Sequence, residues 1–214
     1  MMTLPDAARS CPLIAILRGV HPDEVVDIGA TLIDSGFTII EVPLNSPSPF
    51  ESIEALAAAF GDRALIGAGT VLTAAEADQA VDAGARLLLA PNFDSDVVWA
   101  ARERGVEVMP GVATMSEAFA ALSAGAAALK LFPARELGAG TVSAWRAVLP
   151  AETLVFAVGG IDDNNLTPFL DAGVAGFGLG SSLYRPGDDA ATVARAAECA
   201  IAAWRGAEAK RKAR

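Results

Sequence analysis

Apolar and polar positions alternate between two rhythms along the chain. Ala-rich amphipathic stretches end in Gly, and each is followed by a short apolar run. Leu32-Ile33-Asp34-Ser35-Gly36 precedes Ile39-Ile40-Glu41-Val42, and Ala80-Val81-Asp82-Ala83-Gly84 precedes Leu87-Leu88-Leu89-Ala90. Arg102-Glu103-Arg104-Gly105, Leu122-Ser123-Ala124-Gly125 and Leu170-Asp171-Ala172-Gly173 follow the same rule, and Gly61 occupies the equivalent place in the second unit. A Gly after a helix accepts the left-handed conformation that a Cβ resists. An uninterrupted apolar run of strand length reads as a parallel strand buried on both faces.

Eight strands are predicted: Leu13–Gly19, Ile39–Leu44, Ala64–Thr70, Leu87–Pro91, Glu107–Val112, Ala128–Pro133, Leu154–Ile161 and Gly176–Leu183. Helix starts are marked at Pro22-Asp23-Glu24, Thr73, Ser95, Ser116 and Asp162. Eight βα units in one short chain predict an α/β fold, a closed (β/α)8 TIM barrel, and an open doubly wound sheet is the alternative. With no low-complexity linker, residues 1–214 read as one domain with a short N-terminal lead-in. The basic C-terminal tail, 207–214, reads as a solvated, frayed end.

The strands are interrupted by polar residues at their C-terminal ends, where this fold places its chemistry. Arg18 ends the first, Glu41 lies in the second, Thr70 ends the third, and Lys130 lies in the sixth. The chain has three lysines, and Lys210 and Lys212 belong to the tail. Strand parity puts Leu129 and Leu131 on one face and Ala128, Lys130 and Phe132 on the other. If the leucines meet the helices, the Lys130 ammonium points into the barrel. A buried ammonium either pairs or loses its proton, and the free amine is a nucleophile for a ketone. A structural Lys130–Glu41 pair is the competing reading. Glu41 shares the parity of Ile39 and Pro43, and a partly desolvated carboxylate is suited to moving protons near neutral pH. Its alternative is a salt bridge to Arg18 or Lys130.

Two Gly-rich stretches follow the last two strands: Val158-Gly159-Gly160-Ile161-Asp162 and Gly178-Leu179-Gly180-Ser181-Ser182. Backbone N–H groups here can hold phosphate without a basic side chain, and tight turns are the alternative. The Gly176-x-Gly178-x-Gly180 pattern is set aside as a dinucleotide fingerprint because no acidic ribose partner follows.

The formal net charge of −10 argues against nucleic acid or an anionic membrane as a general partner. Any anionic substrate must be held by a local arrangement. His21 is the only histidine, and Cys11 and Cys199 the only cysteines, so neither a metal cluster nor a Cys-His or Ser-His pair is supported. A cytoplasmic protein is the expectation.

These pieces resemble the aldolase family that cleaves 2-keto-3-deoxy-6-phosphosugar acids. The resemblance runs from about Leu13 to Pro186. It rests on Ile16-Leu17-Arg18-Gly19, Glu41-Val42-Pro43-Leu44-Asn45-Ser46-Pro47, Gly67-Ala68-Gly69-Thr70-Val71-Leu72, Ala90-Pro91-Asn92, Leu129-Lys130-Leu131-Phe132-Pro133 and Val158-Gly159-Gly160-Ile161.

The resemblance implies a metal-independent class I lyase without a cofactor. Lys130 would form a Schiff base and Glu41 would move protons. Arg18 and Thr70 would hold the carboxylate end, Pro91 would shape the pocket, and Gly159, Gly160, Gly180 and Ser181 would bind phosphate. Asn45 and Val158 stand where the gluconate branch has arginine and threonine. Both resemble the galactonate branch, which implies a 2-dehydro-3-deoxy-6-phosphogalactonate substrate yielding pyruvate and glyceraldehyde 3-phosphate. The family also implies a homotrimer. Cleavage of the gluconate epimer, a phosphate-binding isomerase or epimerase, and a sugar-acid binding protein remain the competing readings.

Overall fold

The computed structural model describes residues 2–213. Its strands are β1 (Leu13–Ile16), β2 (Ile39–Pro43), β3 (Leu65–Gly69), β4 (Leu87–Leu89), β5 (Glu107–Met109), β6 (Gly111–Val112), β7 (Leu129–Leu131), β8 (Val155–Val158) and β9 (Gly176–Leu179). All pair in parallel in the order β5-β4-β3-β2-β1-β9-β8-β7-β6. Strands β5 and β6 are the two halves of the expected fifth strand. Pro110 separates them because it has no N–H to donate to a ladder. The Pro110 carbonyl still accepts the Lys130 N–H at 3.0 Å, so the two ends of the sheet meet and the barrel closes.

The helices are α1 (Leu4–Ser10), α2 (Val25–Ser35), α3 (Pro49–Phe60), α4 (Ala74–Asp82), α5 (Ser95–Glu103), α6 (Met115–Ala124), α7 (Ala134–Leu137), α8 (Ala139–Arg146), α9 (Leu166–Ala172) and α10 (Ala190–Lys212). Two cores follow from strand parity. Ile40, Val42, Leu129 and Leu131 belong to the layer between strands and helices. Ile14, Ile39, Leu65, Met109, Ala128 and Phe156 fill the barrel. Side chains on the inner face of a strand therefore have the barrel interior as their only destination.

Gly36, Gly125 and Gly173 end their helices at φ near +100° (107°, 101° and 101°), as the repeated pattern predicts. Gly61 does not. Its φ is −55°, and the chain leaves α3 through a further right-handed turn. Three helix starts also differ from expectation. Thr73 caps α4 as predicted, but Asp94 caps α5 and Thr114 caps α6, the latter in a reciprocal box with Glu117. Asp162 instead accepts the Asn164 N–H, and α9 begins only at Leu166.

The lead-in folds as α1, capped by Thr3. Leu4 and Ala7 are fully buried in the barrel core, so α1 plugs the N-terminal mouth. Thr38 Oγ1 donates to the Ala7 carbonyl, and the Leu4 N–H donates to Glu107. The opposite mouth holds an open pocket. At the other end of the chain, the basic run expected to fray continues α10 to Lys212, with Glu208 pairing Arg211 and Lys212. Arg214 of that run lies outside the described residues.

Candidate active site

One pocket of about 200 Å³ opens at the C-terminal ends of the strands. Arg18, Glu41, Thr70, Pro91, Lys130, Val158, Gly159, Gly160, Gly180 and Ser181 all line it, so the structure brings together every site residue expected from the sequence. Ile16, Phe132, Ile161 and Gly178 complete the wall. Phe132 continues the Lys130 face of β7 by parity, while Gly178 and Ile16 become visible only when β1, β8 and β9 are placed side by side.

Lys130 is 6% exposed and Glu41 2% exposed, each on the inner face of its strand. Lys130 Nζ lies 5.0 Å from the centre of the Phe132 ring, an arrangement favourable to a cation. Burial pushes the Lys130 amine down from its ordinary value; the Glu41 charge opposes that shift and the Arg18 charge adds to it. Burial likewise pushes Glu41 up, against the charges of Lys130 and Arg18. The two groups are thus driven toward each other in proton affinity. Among the described residues they form no direct ion pair, and Glu41 Oε2 is buried without a hydrogen-bond partner. This does not match the closed structural salt bridge that was the alternative. Glu41 lines the pocket while this oxygen lacks a partner, which leaves its carboxyl free to exchange protons with a bound molecule.

Glu41 has room because of a glycine. A Cβ on Gly69 would lie 1.4 Å from Glu41 Oε2 and 2.5 Å from its Cδ. The carboxylate therefore rests on the bare backbone of β3. Thr70, the next residue, has φ +57°, a left-handed conformation that costs a residue with a branched Cβ on the order of 1–3 kcal/mol. In this conformation Thr70 stands on the pocket wall.

On the opposite wall Val158 ends β8, and its two methyls approach Gly178, where a Cβ would sit 2.8 Å and 3.0 Å from them. Gly159 and Gly160 follow at φ +98° and +70°. A Cβ on Gly159 would press on Phe132, and one on Gly160 would meet the stem of Arg135. Gly180 has nothing within 4 Å of where a Cβ would project, so its backbone borders open space. Successive glycines at positive φ leave main-chain N–H groups accessible to an anion. With Arg18 and Lys130, they form a locally attractive site in a chain of net charge −10.

His21 is exposed and absent from the pocket wall. Among the described residues no three His, Cys, Asp or Glu side chains gather in a way that could hold a metal ion.

The family model described as "Aldolase: KDPG and KHG aldolase" matches residues 5–196. The chain is 48% identical over 194 residues to the 2-dehydro-3-deoxy-6-phosphogalactonate aldolase of Escherichia coli (strain K12), covering 91% of this chain and 95% of that protein. It is 33% identical over 171 residues to a 2-dehydro-3-deoxy-phosphogluconate aldolase of Treponema pallidum (strain Nichols), covering 79% and 80%. A solved structure described as "Native KDPGal structure" superposes with a TM-score of 0.90 at 48% identity, covering 92% of this chain and 96% of that one. The barrel, its buried lysine–carboxylate pair and these similarities agree: the chain belongs to the KDPG and KHG aldolase family.

Proposed function

We propose that this protein cleaves 2-dehydro-3-deoxy-6-phosphogalactonate into pyruvate and glyceraldehyde 3-phosphate through a Schiff base on Lys130. The observation that carries the reading is the buried pair itself, an amine lowered and a carboxylate raised in proton affinity on the wall of one pocket. A neutral amine is needed to attack the C2 ketone, and a group that both gives and takes protons is needed to expel water from the carbinolamine.

In this scheme the Lys130 amine adds to C2, and Glu41 delivers the proton with which the C2 oxygen leaves as water. The cationic imine then draws the electrons of the C3–C4 bond. As the C4 hydroxyl loses its proton to a base, that bond breaks, releasing glyceraldehyde 3-phosphate and leaving an enamine. Protonation at C3 gives the pyruvate imine, which water returns to pyruvate and free Lys130. Arg18 and Thr70 hold the carboxylate, Pro91 shapes the wall, and Gly159, Gly160, Gly180 and Ser181 receive the phosphate through backbone N–H groups and a hydroxyl. Atoms and electrons balance without a redox partner.

The galactonate preference is supported by the higher identity to the galactonate relative and by Val158 and Asn45. A pocket wall without a hydroxyl donor at 158 stabilises one C4 epimer less than a wall with threonine. Comparing pyruvate release from the two phosphorylated epimers tests this. A kcat/KM favouring the galactonate substrate by about tenfold or more is expected, and equal values would refute it.

We also propose a homotrimer, on the family resemblance; exposed Trp99 on α5 and Phe119 on the adjacent α6 offer apolar surface for an interface, and light scattering at any mass other than that of three chains would refute it. A cytoplasmic location is part of the same reading. No helix among the described residues is long and apolar enough to cross a membrane.

A further inference from the structure

Arg18 stands two residues beyond β1, exposed at the pocket mouth, where a long side chain has many conformations open to it. Yet the loop after β2 holds it at two points. Its guanidinium donates to Asn45 Oδ1 at 2.5 Å. The N–H of the next residue, Gly19, donates to Ser46 Oγ at 2.9 Å. Ser46 is itself 8% exposed and fixed by its own N–H, which donates to the Pro43 carbonyl. On the other side of the turn, Pro186 lies against Gly19, 2.7 Å from where a Cβ would project, and Gly19 has φ +83°. The base of Arg18 is therefore set by Ser46 and Pro186, and its head by Asn45.

The chemistry of the head contact matters. An aspartate at 45 would make a stronger, charge-assisted bond to Arg18, but it would also cancel the guanidinium charge. Asparagine has the same shape and accepts the same hydrogen bond without adding charge. Among the described residues Arg18 makes no direct ion pair. In a chain of net charge −10, an uncompensated cation at the mouth is what an anionic substrate requires.

We propose that Asn45 and Ser46 are positioning residues that clamp Arg18 at two points while leaving its charge free for the substrate carboxylate. This rests on the Schiff-base reading above and adds a role for the β2–α3 loop. The clamp fixes direction without neutralisation, so it acts first on binding of the carboxylate-bearing half of the substrate.

The test measures the pyruvate concentration giving half-maximal borohydride trapping, together with the trapping rate at saturation. Asn45→Ala raises the half-saturating concentration about twofold with a saturated rate near wild type, and Asn45→Asp raises it about fivefold. Ser46→Ala, which removes only the acceptor of the Gly19 N–H, raises it about twofold, and melting temperatures report folding of each variant. In an Arg18→Gln background Asn45→Ala has no further effect, as expected if it acts through Arg18.

A merely structural role gives the opposite order, because aspartate restores the hydrogen bond and alanine does not. Asn45→Asp equal to or better than Asn45→Ala, or a full Asn45→Ala effect without Arg18, overturns the proposal. If the wild type traps no pyruvate, the Schiff-base reading falls first and the clamp with it. If it traps pyruvate and the variant order is reversed, only the clamp falls.

Discussion

Replacing Gly69 with alanine adds one carbon where the Glu41 carboxylate now lies. The new Cβ would stand 1.4 Å from Oε2, against an ordinary contact of 3.4 Å, so the carboxylate must retreat by about 2 Å or β3 must move. Neither is cheap. Overpacking of this kind costs about 1–3 kcal/mol in a closely packed interior. Displacing a catalytic group by 1 Å costs about 100-fold in rate, and losing a general acid–base costs about 100- to 10,000-fold. We therefore expect Gly69→Ala to lower kcat for pyruvate release at least about 100-fold, without exceeding the loss in Glu41→Ala. Steady-state kinetics and thermal melts, run on both single variants and the double variant, separate the two contributions. In the Glu41→Ala background the added carbon has space, so its stability cost vanishes and it slows the enzyme no further. Gly69→Ala activity within twofold of wild type, or equal costs in both backgrounds, would refute the reasoning.

Three further outcomes follow from the same geometry. The Glu41 charge holds the Lys130 amine up against burial, so Glu41→Gln lets Lys130 lose its proton at lower pH; the pH at half-maximal cyanate modification of Lys130 moves down, and an upward move contradicts the coupling. Thr70→Gly relieves a left-handed residue and raises stability by about 1 kcal/mol in thermal melts while lowering kcat/KM through loss of a pocket hydroxyl; a lower melting temperature would contradict the strain. Val158→Thr places a hydroxyl on the wall beside Gly178 and shifts the ratio of kcat/KM toward the gluconate epimer by about tenfold, and an unchanged ratio would remove Val158 from the account.

Lys130 and Glu41 were legible in the sequence because strand parity is local. Knowing that Leu129 and Leu131 face the helices is enough to send Lys130 inward. The Gly-rich loops after β8 and β9 are legible for a similar reason, since glycine clusters after strands carry their backbone meaning with them. Other features arise only between strands. Glu41 pairs in register with Gly67, but its carboxylate reaches over Gly69, one inward-facing position further along β3. That reach depends on how two neighbouring strands lie together, which no single run of residues encodes. The Asn45–Arg18 contact spans 27 residues and has the same origin. Helix α1 is not legible because 7 residues carry too little periodicity; its function as a plug depends on burying Leu4 and Ala7 in a barrel that the sequence does not display. Pro110 lies within the expected fifth strand, Glu107–Val112, and its missing N–H splits that strand in two.

The central claim is a covalent one, and it can be tested by locating a bond. The wild-type protein incubated with pyruvate and borohydride, then digested and mapped by mass spectrometry, should carry one carboxyethyl group on Lys130, and Lys130→Met should carry none. An unmodified protein, or one modified only at Lys210, Lys212 or the N-terminus, would contradict the account.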